Sequence, residues 1–170
     1  MMYIARHMEQ VLEQINTQYP VLLVTGPRQV GKTTMLKHLA QKEGRNRKTI
    51  TLDDLTVREL AKTDPKMFFQ LHRPPLLIDE VQYAPELFPY IKMMVDERRQ
   101  PGDFWLTGSQ LFSMMEGVQE SLAGRVALLQ LSPLSYGELI ADGGTTPFRI
   151  DLPALTQRQA ARPALDTPAI

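Results

Sequence analysis

No cysteine occurs in the 170 residues, which rules out disulfides and thiolate metal sites. Neither sign of charge prevails, because nineteen lysine and arginine residues meet nineteen aspartate and glutamate residues. Net charge therefore gives no indication of nucleic-acid binding. No apolar run approaches the ~20 residues of a membrane span, and the amino terminus lacks the apolar core of a signal peptide. A soluble, cytoplasmic chain with no membrane partner is the expectation. The histidines are few, and His7, His38 and His72 show no ligand spacing, so they read as surface residues. The basic clusters Arg45-Asn46-Arg47-Lys48 and Arg98-Arg99 read as solvated loop or helix ends. The scattered methionines read as core filler on helix faces.

What is present is more telling. Gly26-Pro27-Arg28-Gln29-Val30-Gly31-Lys32-Thr33 fits the pattern G-x-x-x-x-G-K-[ST] at every defined position. The apolar run Val21–Val24 leads into it as a buried strand, and Met35–Ala40 leads out with a helical pattern. Gly26 and Gly31 permit backbone angles that side chains oppose. Successive N–H groups can then cradle phosphate oxygens, and a helix starting near Lys32 aims its positive end at the same anion. Lys32 is expected to reach the β- and γ-phosphates and the Thr33 hydroxyl to bind Mg²⁺. Thr34 either supports the helix start or contacts the α-phosphate, while Pro27, Arg28, Gln29 and Val30 complete the nucleotide-binding loop.

Apolar spacing predicts an amphipathic helix over about 2–18, then strands near 21–24, 49–52, 76–78, 104–107 and 126–131. Helices are expected from 32 to 43 with Gly44 as stop, over 55–62, from Pro65 through Leu71, after Pro85 and over 110–123. Ser135-x-x-Glu138 reads as a capping box opening a last short helix. Strands alternating with helices make an α/β fold, a parallel sheet covered on both faces. Its ligand belongs at the carboxyl ends of the strands. Residues 141–170 carry four prolines and no clear period, and read as an irregular or disordered tail after a 1–140 core.

Leu76-Leu77-Ile78 ends in Asp79-Glu80. Asp79 suits a Mg²⁺ site opposite the phosphate loop, and Glu80 suits a base that activates water. Thr107-Gly108-Ser109 ends the fourth strand, which should lie between the first and third. Either Thr107 or Ser109 can sense the γ-phosphate, or both can simply satisfy the turn. Arg125 has two readings: an arginine presented to a neighbouring subunit's phosphates, which implies a homo-oligomer, or a surface residue capping a helix. Gln82 can order the site's hydrogen bonds or stand in a loop, and Asp53-Asp54 can tune Mg²⁺ water or be exposed.

The segments GPRQVGKTT, LLIDEVQYAPELFPYIK, WLTGSQ and SLAGRVALLQLSPLSYGEL resemble the AAA-type ATP-binding proteins of bacteria and archaea, the AAA_14/DUF4143 family, over roughly residues 2–140. The resemblance implies a P-loop NTPase three-layer sandwich with strand order 5-1-4-3-2. It also implies Lys32 and Thr33 as Walker A residues, Asp79 and Glu80 as Walker B, Thr107 to Ser109 as sensor 1 and Arg125 as the family's arginine. Family members carry a helical lid and a C-terminal domain of nuclease-like fold, which are expected to be absent from this chain. The reading that follows is Mg²⁺-dependent ATP hydrolysis, with ATP favoured over GTP because no Asn-Lys-x-Asp segment is present. A small-molecule P-loop kinase with Asp53 holding the acceptor, and a nucleotide-gated binding module with little turnover, stand as alternatives.

Overall fold

The computed structural model describes residues 3–109, 118, 120–139, 152 and 156. Helix α1 (Met8–Asn16) precedes strand β1 (Val21–Thr25) and helix α2 (Lys32–Glu43). Strand β2 (Lys48–Thr51), helices α3 (Leu55–Thr63) and α4 (Pro65–Leu71), and strand β3 (Leu76–Asp79) follow. After a 3₁₀ turn (Val81–Tyr83) come helix α5 (Leu87–Arg98), strand β4 (Phe104–Gly108), strand β5 (Val126–Gln130) and a four-residue helix, Tyr136–Leu139. The strands form one parallel sheet in the order β2-β3-β4-β1-β5, the expected order read from the other edge.

Alternation along the strands divides the core between two faces. Val21 and Leu23, Leu76 and Ile78, and Phe104 and Leu106 point to one side, where Phe68, Phe69, Leu87, Phe88, Ile91 and Val95 from α4 and α5 pack on them. Leu22, Val24, Leu77 and Trp105 point to the other side, against Leu12 of α1 and Met35, Leu36 and Leu39 of α2. The central strands β1 and β4 are buried along their whole length, as a doubly covered parallel sheet requires. Each crossover returns the chain to the same sheet edge, so β1, β3 and β4 all end at the phosphate loop.

Local signals explain several boundaries. Gly44 ends α2 in a left-handed conformation, with φ 71°. Asp54 caps α3 by accepting from the Thr56 and Val57 N–H groups at 2.8 and 3.2 Å, and Asp64 caps α4 at Met67 N–H. The capping box is present in both directions, Ser135 N to Glu138 Oε2 at 2.7 Å and Glu138 N to Ser135 Oγ at 3.2 Å.

The first helix is shorter than its apolar spacing predicts. Residues 3–7 are not helical, because Glu9 draws them into a different pattern. Its carboxylate accepts from Arg6 N at 2.7 Å and from the Tyr3 hydroxyl at 2.6 Å. The Tyr3 ring stacks on His38 of α2, with centroids 3.9 Å apart. The expected helix over 110–123 and the tail 141–170 lie largely outside the described residues. Positions 118 and 120–122 are helical. Leu152 and Thr156 also have helical backbone, with Thr156 Oγ1 donating to Leu152 O at 2.8 Å.

Candidate nucleotide site

The loop between β1 and α2 begins at Gly26, with φ 141°. A Cβ there would stand 2.2 Å from the Leu131 carbonyl oxygen, so no side chain fits where the loop passes the end of β5. Gln29 and Gly31 also have positive φ, 64° and 92°, and Gly31 leads into α2. The loop therefore curls around the amino end of α2, where unpaired N–H groups and the helix dipole favour an anion. Lys32 is buried, and its ammonium donates to the Gly26 and Pro27 carbonyls at 3.0 and 2.9 Å. Arg28 is exposed, with Nη2 3.2 Å from the Tyr83 hydroxyl, and Thr34 is exposed on the first turn of α2.

The ends of β3 and β4 supply the facing groups. Asp79 Oδ1 accepts from Thr33 Oγ1 at 2.5 Å and from Thr107 Oγ1 at 2.5 Å. Thr107 is fully buried and also accepts from Glu80 N at 3.0 Å. Glu80 has φ 57° and ψ 48°, a left-handed conformation uncommon for a non-glycine residue. Such a backbone costs on the order of 1–3 kcal/mol and is a hallmark of functional positions. Glu80 Oε2 accepts from Ser109 Oγ at 3.0 Å and from Gln82 Nε2, while Gln82 Nε2 also lies 3.3 Å from Ser109 Oγ. Gln82 Oε1 is buried without a partner among the described residues.

Lys32, Thr33, Asp79, Glu80, Thr107 and Ser109 thus converge at one edge of the sheet. The two hydroxyls that the sequence left open divide their work: Thr107 orients Asp79, and Ser109 contacts Glu80. Gln82, open between ordering the site's hydrogen bonds and standing in a loop, is drawn into the site by the 3₁₀ turn.

Other candidates lie elsewhere. Arg125 precedes β5, at the opposite end of the strands, and its backbone carbonyl accepts from Val21 N at 3.3 Å. Its guanidinium forms a bidentate pair with Asp96 of α5, at 2.6 and 3.0 Å. Asp54 serves as the α3 cap, and Asp53 is exposed near Arg58 at 3.8 Å. With β2 three strand positions from β1, Asp53 is about 14 Å from the loop across the sheet, at ~4.8 Å per strand. His72 lies 2.9 Å from Lys48 Nζ, and burial together with the lysine charge holds its imidazole below the usual range.

Thr33 and Asp79 offer hard oxygens, the kind Mg²⁺ prefers. Among the described residues no three His, Cys, Asp or Glu side chains converge. This fits an ion held by one or two protein groups together with substrate phosphates, rather than an all-protein cage.

Among known proteins, the chain is similar to the uncharacterised proteins Rv2008c of Mycobacterium tuberculosis and Mb2031c of Mycobacterium bovis. Each is 38% identical over 121 residues, covering 71% of this chain and 26% of the relative. The chain thus spans about a quarter of the length of these relatives. Among solved structures, the Walker-type ATPase PABY2304 of Pyrococcus abyssi superposes with a TM-score of 0.58 at 18% identity, over 82% of this chain and 56% of that one. At that identity the likeness concerns the fold. Among the described residues no helix is long and apolar enough to cross a membrane. A family model described as an AAA domain matches residues 18–140, from just before β1 to just after the last described helix, and the chain belongs to that family.

Proposed function

We propose that this domain binds ATP with Mg²⁺ and hydrolyses its terminal phosphate bond. The observation that carries the reading is the meeting of Thr33 with Asp79, at 2.5 Å, beside a Glu80 held by Ser109 and Gln82. The loop N–H groups from Gly26 to Thr33 would hold the phosphates, with Lys32 turning from the loop carbonyls to the phosphate oxygens. Thr33 and Asp79 would hold Mg²⁺, which when bound neutralises phosphate charge. Glu80 takes a proton from the attacking water. Ser109 and Gln82 engage only Oε2 of Glu80 among the described contacts, which orients the carboxylate toward one nucleophile. Thr107 keeps Asp79 in place. Most of the rate enhancement would come from positioning and preorganised charge.

Arg125 enters this scheme only between subunits. It stands at the far end of the strands from its own phosphate loop, so it would reach the phosphates of a second copy after leaving Asp96.

Phosphate release from MgATP and equilibrium ATP binding test the proposal on the parent, Glu80→Gln and Lys32→Ala, across a range of protein concentrations. Glu80→Gln should keep its affinity and lose about 100-fold or more in turnover. Lys32→Ala should lose tight binding. Parental turnover in Glu80→Gln removes Glu80 as base, and parental affinity in Lys32→Ala removes the phosphate-loop assignment. Specific activity that rises with concentration supports Arg125 acting in trans.

A further inference from the structure

Arg6 is outside every motif, yet it is buried to 7% exposure beside the phosphate loop. Its guanidinium reaches two segments distant in sequence. Nη1 donates to the Val30 carbonyl at 2.8 Å, inside the loop. Nη2 donates to the Ser132 carbonyl at 2.6 Å, and Nε to Glu138 Oε1 at 3.1 Å, both in the segment that leaves β5. Glu138 Oε1 also accepts from His7 N at 2.9 Å, which seats the arm bearing Arg6 on the same carboxylate.

The loop therefore meets residues 131–138 at both of its ends. Gly26 lies under the Leu131 carbonyl so closely that a Cβ would be 2.2 Å away. Val30 is linked through Arg6 to Ser132, and Arg6 Nη1 lies at ordinary van der Waals distance, 3.7 Å, from where a Cβ on Gly31 would stand. A guanidinium is a planar fork whose donors keep fixed directions. A shift of Val30 toward or away from Arg6 must be followed by Ser132 and Glu138, or leave the buried Arg6 guanidinium poorly paired.

We propose that Arg6 is a positioning residue that couples the shape of the phosphate loop to the segment 131–139. Nucleotide binding draws the loop N–H groups onto phosphate and holds the Val30 carbonyl outward on Arg6. Through the fork, the same event orders the backbone by which the chain leaves the sheet. Coupling is reciprocal, so anything that displaces 131–139 weakens nucleotide binding by the same factor. The proposal rests on the nucleotide reading above.

Amide hydrogen exchange on the 170-residue chain, with and without MgADP, tests it. In the parent, MgADP should slow exchange at 26–36 and also at 131–139, the latter by about fivefold or more. In Arg6→Lys, which keeps the charge but loses the fork, protection at 26–36 should persist while the response at 131–139 disappears. Glu138→Gln gives a second variant, because glutamine can still complete the capping box while the ion pair is lost. It should also lose most of the distal response, and it decides the matter if Arg6→Lys does not fold. Protection at 26–36 without any at 131–139 in the parent overturns the coupling alone, as does a parental distal response in a folded variant. No protection at 26–36 in the parent overturns the nucleotide reading, and the coupling with it.

Discussion

Single residues in this domain carry conformations that their types ordinarily resist. Glu80 accepts a left-handed backbone because its N–H is tied to Thr107 and its carboxylate to Ser109 and Gln82. Gln82 leaves its side-chain amide oxygen buried without a partner among the described residues, a desolvation cost of about 1–3 kcal/mol set against two contacts in the site. Gly26 is the converse case: its type permits a φ of 141°, while both that angle and the Leu131 carbonyl oppose a side chain. Gly26→Ala should lower the melting temperature and sharply weaken nucleotide binding. Gly44→Ala, where nothing lies within 4 Å, should cost only the ~1–2 kcal/mol of a left-handed alanine and leave binding unchanged. Equal losses in the two variants would remove the claim that close approach at Gly26 shapes the loop.

At the scale of elements, side-chain caps set the boundaries more firmly than apolar spacing does. Asp54 and Asp64 begin α3 and α4 at the positions where their carboxylates meet free N–H groups. Asp54→Ala should destabilise the domain by about 1 kcal/mol with ATP affinity unchanged, measured by denaturant unfolding and nucleotide titration. A loss of affinity would mean that α3 contributes to the site, against the placement of Asp53 and Asp54 away from the loop. The amino-terminal arm shows the limit of periodicity. Ile4 and Met8 continue the spacing of α1, but Glu9 takes the Arg6 N–H and the Tyr3 hydroxyl. That pattern delays the start of the helix to Met8 and frees Arg6 to turn toward the loop.

Across the whole molecule, buried charge sits in pairs: Arg47, whose side chain is fully buried over the Trp105 ring, meets Glu43, and Arg6 meets Glu138 where the arm, the loop and the segment after β5 join. Glu138 is the clearest case. Burial by itself raises its pKa, but the N–H groups of Ser135 and His7 and the Arg6 guanidinium outweigh burial and lower it from 4.5 to about 2. A carboxylate depressed in the folded state contributes stability that is full above its unfolded pKa and is lost as pH falls through the folded one. Melting temperature should therefore decline as pH drops from about 4.5 toward 2, and Glu138→Gln should show a shallower decline over that window. A parallel decline in the variant would place the acid sensitivity elsewhere. Glu9, also held below its usual range, adds to the remainder: burial opposes that shift, and the Tyr3 hydroxyl and Arg6 N–H outweigh it.

The division between what could be read along the chain and what could not follows from the range of the interactions involved. The phosphate loop, the acidic pair ending β3, the alternation of strands and helices, and the capping box are local patterns, written in neighbouring residues. The family segments added the strand order, and the sheet bears it out. The choice of partners at the site was not local. Ser109 and Gln82 meet Glu80, and Thr107 meets Asp79, because β4 docks between β1 and β3 and the 3₁₀ turn swings Gln82 inward. Arg125, ahead of β5 in a parallel sheet, was legible as lying away from the strand ends that carry the loop, but its pairing with Asp96 of α5 was not. Arg6 left no signal at all. A lone arginine in an amphipathic stretch resembles any surface residue, and only the closing of the chain on itself, with residues 132 and 138 brought against residue 30, makes it the buried link between the phosphate loop and the segment that leaves the core.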